Sequence, residues 1–117
     1  MTENKKLGDR GEDYTVRYLE KRGFRIAERN WHSRYGEIDI IAENEAYLLF
    51  VEVKTRRVGS MVPGEWAVTS QKQKKLRLTA ESYLMSHSTE RQPRFDVAVL
   101  SVENDVLTDF AYYESAF

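Results

Sequence analysis

Two apolar runs separated by three polar residues most constrain what this chain can fold into. GEIDIIA (Gly36–Ala42) and AYLLFVEVKT (Ala46–Thr55) flank the tip Glu43–Asn44–Glu45. Each run is rich in β-branched and aromatic residues, and the short polar tip predicts an antiparallel hairpin. Alternation along a strand then assigns faces. Ile38, Ile40 and Ala42 share one face with Leu49, Val51 and Val53, and that wholly apolar face must pack on a helix. The other face carries Glu37, Asp39 and Ile41, then Leu48, Phe50, Glu52 and Lys54. It is apolar near the turn and charged at the far end.

The hairpin register sets Asp39 opposite Phe50 or Glu52. In both cases the Asp39 and Glu52 carboxylates are neighbours, with Cβ atoms about 5–8 Å apart. A one-residue slip would part them, but it would also scramble the apolar face. Two adjacent acids repel unless something positive joins them. Lys54, two residues beyond Glu52 on the same face, is one candidate. A divalent cation is the other, because Mg²⁺ prefers hard oxygen ligands and takes one or two carboxylates from a protein. Such an ion polarises a phosphoryl oxygen, and a lysine beside it can orient or deprotonate a water. The plain alternative is an ion-paired strand end at the sheet rim.

The rest of the chain places this hairpin in an α/β frame. Gly8 to Arg22 reads as a helix, with Gly11, Tyr14, Thr15, Tyr18 and Leu19 at helical spacing and Gly23 as its stop. Phe24–Trp31 is a first strand, and Arg56–Trp66 a loop broken by Gly59, Pro63 and Gly64. Ser70 to Met85 is a second helix, with Ser70 as N-cap and Gln73 as its capping-box partner. Arg94–Val102 and Val106–Glu114 complete the strands. The order is α-β-β-β-α-β-β, one domain with a mixed central sheet of about five strands flanked by helices.

Composition removes several chemistries. The 117 residues contain no cysteine and two histidines, which excludes disulfides, thiolate sites and a histidine-rich zinc centre. The charged N-terminal stretch has no apolar core, and no run reaches membrane-spanning length. The expectation is a cytoplasmic protein with no membrane partner. A net charge of −1 means that any nucleic-acid contact must come from local clustering. QKQKKLR (Gln71–Arg77) is one such cluster. Lys72 and Gln73 lie in line with Leu76 and Ala80 at a helix N-terminus, an end that favours anions. Lys72, Gln73 and Lys75 are candidate phosphate contacts, as are Arg56 and Arg57, which leave the acidic cluster into the loop. For all five the alternative is ordinary solvated surface. Trp31 and Trp66 could stack on a base but fit core packing better. Asp96 is expected to pair with Arg94 or a loop.

The stretches GDRGEDYTVRYLEKRGF, ERNW, GEIDIIA, FVEVKTR, AVTSQKQKKLRLTAESYL and RFDVAVL, in this order, resemble the YraN-like bacterial family of the PD-(D/E)XK restriction-endonuclease-like superfamily. The resemblance spans about Gly8 to Leu100. It implies a restriction-endonuclease-like fold with a D…ExK core on Asp39, Glu52 and Lys54, and Asp39 and Glu52 holding Mg²⁺ or Mn²⁺. Similarity to Holliday-junction resolvases further implies an acid on the first helix, here Glu12. DNA, branched or flapped, is the implied substrate, bound by a possible homodimer. A non-catalytic nucleic-acid-binding module of the same fold and a protein-binding adaptor are the competing functions.

Overall fold

The structure, a computed structural model, describes residues 2–58 and 68–117, with side chains from residue 9 onward. Its elements are α1 (Thr2–Lys21), β1 (Arg25–Ser33), β2 (Gly36–Glu43), β3 (Tyr47–Arg57), α2 (Ser70–Ser86), β4 (Gln92–Glu103) and β5 (Val106–Tyr113). This is the α-β-β-β-α-β-β order read from the sequence. The sheet runs β1-β2-β3-β4-β5; β3 and β4 are parallel and the other neighbours antiparallel. A parallel pair needs a crossover, and α2 lies within it.

Local chemistry explains the element ends. At the close of α1, Gly23 adopts φ 89°, and the N–H groups of Gly23 and Phe24 donate to the carbonyls of Glu20 and Leu19. That double bond pattern needs a left-handed residue, which glycine supplies cheaply. The hairpin tip is closed by Asn44, whose Oδ1 accepts from the backbone N–H groups of Ala46 and Tyr47 at 2.9 and 2.7 Å.

The sheet has an apolar cluster on each face. Leu19 packs with Ile40, Ala42, Leu49, Val51, Ala98 and Leu100 on the α1 side. Leu76, Ala80 and Tyr83 of α2 pack with Ile38, Ile41, Leu48 and Phe50 on the other. Trp31 joins this second cluster edge-on to Tyr83, as expected of a core aromatic.

Four expectations need correction. Ile38 belongs with Ile41, not Ile40. The β2–β3 ladder ends at Ile40↔Val51, while the start of β2 stays paired with β1 through Trp31↔Ile38 and follows the turn of β1 at Asn30, φ 52°, out of strict alternation. Helix α1 begins at Thr2 rather than Gly8. Arg56 and Arg57 belong to β3 rather than to a loop, because the ladder with β4 continues through Arg56↔Ser101 and Arg57↔Val102. The remainder of that loop, including Trp66, lies outside the described residues. Finally, Thr69 rather than Ser70 caps α2, its Oγ1 accepting from Lys72 N–H at 3.2 Å. Gln73 sends its amide to the Val68 carbonyl at 2.9 Å instead of closing a capping box.

Candidate active site

The fork between β2 and β3 creates the site. Beyond Ile40↔Val51 the strands no longer pair, and the Val53 N–H donates to Asp39 Oδ2 at 2.8 Å. A side-chain carboxylate thus answers a backbone donor where the ladder stops. This fixes Asp39 beside Glu52, and the two carboxyl groups are hydrogen-bonded to each other. Helix α2 completes the group: Lys72 Nζ lies 2.8 Å from Glu52 Oε2, and the Lys54 amine lies against Lys72. The Glu52 side chain is only 10% exposed, so these charges interact with little water between them.

Their protonation follows from that enclosure. Burial, then the hydrogen bond and charge of Glu52, push the Asp39 carboxyl up to about 8, so the pair shares one proton held on Asp39. Burial also raises Glu52, but Asp39 and Lys72 outweigh it and hold Glu52 below its ordinary value. Contact with Lys72, followed by burial, lowers Lys54. Burial opposes the charge on Lys72 too, but Glu52 leads the contacts that raise it. Of the two lysines, Lys54 is therefore the one that gives up its proton more readily.

Sequence reading brought Asp39, Glu52 and Lys54 together, and the structure does so too. Glu12 is placed differently. Its Oε1 accepts from Arg29 Nη2 and Asn30 Nδ2, each at 3.2 Å, although its charge still reaches Asp39. Arg29 also bonds Asp13 at 2.8 Å. Arg56 Nε donates to Ser101 Oγ at 2.9 Å, Arg57 ends β3 exposed, and Lys75 is exposed on α2. Glu37 pairs with His32 at 2.6 Å, where both are well exposed.

The sequence reading missed the double role of Lys72. The helix position points it at phosphate, yet it contacts both Glu52 and Lys54. The signal was present in its alignment with Leu76 and Ala80, both of which are buried against the sheet face that carries Glu52. Residues four apart on a helix stack on one face, so Lys72 had to reach the same strand.

Among the described residues, no three histidine, aspartate or glutamate side chains gather as a ready metal cage. The donor set still fits Mg²⁺ or Mn²⁺. Both ions accept a site with one or two carboxylates, and a carboxyl that keeps its proton to near pH 8 marks a place short of positive charge. Asp39 and Glu52 would hold the ion.

The model of an uncharacterised protein family, UPF0102, matches residues 11–100. A UPF0102 protein of Rhodococcus opacus (strain B4) is 43% identical over 119 aligned positions covering both chains in full. One from Dictyoglomus thermophilum is 39% identical over 97% of this chain and 98% of its own. Another, from Syntrophomonas wolfei, is 43% identical over 86% of this chain and 89% of its own.

Proposed function

The chain belongs to the uncharacterised protein family UPF0102, and from that premise we propose that it is a metal-dependent nuclease cutting DNA phosphodiester bonds, with branched or flapped DNA as its preferred substrate. One observation carries the reading: two enclosed carboxylates share a proton at a strand fork while two lysines stand beside them. A purely structural acid pair would be an expensive way to end a hairpin. Resemblance to the restriction-endonuclease-like superfamily supports the same assignment, since its D…ExK core falls on Asp39, Glu52 and Lys54.

When bound, Mg²⁺ or Mn²⁺ would supply Lewis-acid polarisation of a phosphoryl oxygen. Asp39 would join Glu52 in holding the ion, in its ionised form. Lys54, with its pKa lowered by Lys72 and by burial, accepts a proton from the attacking water. Lys72 keeps its own proton and sits in the first turn of α2, where the helix end adds to its attraction for a phosphate. Glu12, steadied by Arg29 and Asn30, adds negative charge at the rim of the centre.

The Lys72–Glu52 contact favours one rival, a module that grips nucleic acid without cutting it, its acidic centre closed by its own lysine. Incubating the purified chain with four-way-junction, flap and linear DNA, with and without Mg²⁺ or Mn²⁺, separates the two. Metal-dependent cutting that falls by about 10²-fold or more in Asp39→Ala and Glu52→Ala supports the nuclease. Binding without metal-dependent cutting supports the module, and cutting that survives both substitutions removes the site assignment.

A further inference from the structure

Helix α1 and strands β3 to β5 enclose a second feature, a cavity of about 360 Å³ that the acid pair does not share. Leu100, Val102 and Leu107 give it an apolar floor, and Arg10, Tyr14 and Arg17 form one side. The spacing i, i+4, i+7 sets these three along a single stripe of α1. Thr55, the residue after Lys54, also lines it.

The Thr55 hydroxyl is the unusual group. Its Oγ1 is buried and has no hydrogen-bond partner among the described residues. Leaving a buried hydroxyl unpaired costs about 1–3 kcal/mol. The backbone makes room for it: a Cβ on Gly11 would come within 2.4 Å of that oxygen. The oxygen is thus closed off against the Gly11 backbone, and what the cavity offers a ligand is its apolar floor and its arginines.

The charge around the cavity defines the ligand. Asp13 is answered by Arg29 at 2.8 Å, so its charge is largely spent. Arg10 uses one N–H on the Asp105 carbonyl at 2.6 Å and retains others. Arg17 makes no hydrogen bond or ion pair among the described residues. Two guanidinium groups with spare donors select an anion, and guanidinium geometry suits phosphate. The apolar floor and the Tyr14 ring suit a flat, weakly polar body. The volume lies at the lower end of small-ligand sites and far below the size of a duplex.

The geometry points to a pocket for one unpaired nucleotide, with its phosphate on Arg10 and Arg17 and its base over Leu100 and Leu107 beside the Tyr14 ring. The nucleotide is either free or a flipped or single-stranded residue of a longer strand. The second source rests on the nuclease reading, since Thr55 of the cavity wall adjoins Lys54 and the pocket would hold a displaced strand next to the cutting centre.

Calorimetric titration of the full chain without divalent metal tests this, using deoxyadenosine monophosphate and, separately, a short single-stranded oligodeoxynucleotide. Arg17→Ala and Arg10→Ala should each weaken binding about tenfold, while Met85→Ala, at an exposed position of α2, leaves it unchanged. Arg17→Ala should melt with the parent, because the side chain is exposed and makes no hydrogen bond or ion pair among the described residues, so lost binding cannot be blamed on unfolding. Arg17-dependent binding of the mononucleotide supports the free source. The same dependence seen only with the oligonucleotide supports the strand source. No binding of either probe, or binding equal in both pocket variants and the parent, overturns the pocket. A chain that cuts DNA while the pocket variants bind normally loses the pocket and keeps the nuclease; Arg17-dependent binding without cutting does the reverse.

Discussion

Asp96 on β4 and the Asp39–Glu52 pair are both carboxylate sites in the middle of one sheet, and Asp96 is in register with Val51, next to Glu52. Their surroundings are opposite. Asp96 is fully buried and accepts from Arg94 Nη2 at 2.9 Å, Arg94 Nε at 3.0 Å, Tyr112 Oη at 2.6 Å and Ser115 N–H at 3.0 Å. Every oxygen has donors, one of them on a cation. The acid pair instead faces itself and keeps a proton that an ordinary aspartate would have lost. A carboxylate answered on all sides holds β4, β5 and the chain after them together. A carboxylate pair short of positive charge is poised to receive it.

That contrast can be broken most forcefully at Asp96. Asp96→Ala leaves the half-buried Arg94, the Tyr112 hydroxyl and the Ser115 N–H without their shared acceptor and should cost about 3 kcal/mol in urea denaturation; a loss below 1 kcal/mol would erase the distinction between the two sites. Tyr112→Phe removes one of the donors and should cost about 1.5 kcal/mol by the same measurement.

At the fork the sign reverses. Folding raises the Asp39 carboxyl from near 4 to about 8, so its favourable contribution is complete below about pH 4 and is lost as pH rises through about 8. Asp39→Asn keeps a neutral group there at every pH. Without metal it should be more stable than the parent by about 1 kcal/mol above pH 8, with the difference shrinking toward pH 4. Thermal melts across that range decide it, and a variant that is less stable at high pH contradicts a charge-deficient pair. The smallest effect concerns Lys72. Lys72→Ala removes the neighbour that lowers Lys54, so Lys54 should hold its proton to higher pH. The acidic limb of the cutting-rate profile should then move upward by about half a unit or more; an unmoved limb would free Lys54 from Lys72.

The sequence made the fork legible because its signal is local. Two runs and a three-residue tip set the hairpin, and alternation placed Asp39, Glu52 and Lys54 on one face. Ile38 escaped that logic because β2 has left β3 before it reaches Ile38 and there follows β1, whose backbone turns at Asn30. Ser70 was the natural cap by residue type, yet Thr69 does the work, since either hydroxyl suffices and the helix phase chooses. Asp96 and Arg94 could be paired from their spacing on one strand. Tyr112 could not, because its hydroxyl arrives from β5 across the sheet. The cavity beside Thr55 had no motif at all. It arises where the Gly11 notch, the Thr55 hydroxyl and the Arg10–Arg17 stripe meet, and only the packed fold puts them together.

The parallel pairing of β3 with β4 has a consequence for how this centre comes into being. Asp39 and Glu52 sit in a hairpin that closes a short stretch of chain. By contrast, β3 meets β4 through partners as distant as Tyr47 and Gln92, and α2 lies within that long loop. Closing it is the slower event. Loop length alone therefore predicts that the two acids meet before the lysine of α2 arrives, which stopped-flow refolding of Lys72→Ala checks: its folding rate should match the parent's. In that order the helix is the step that completes the site, and a divalent ion present during refolding would act first on the hairpin.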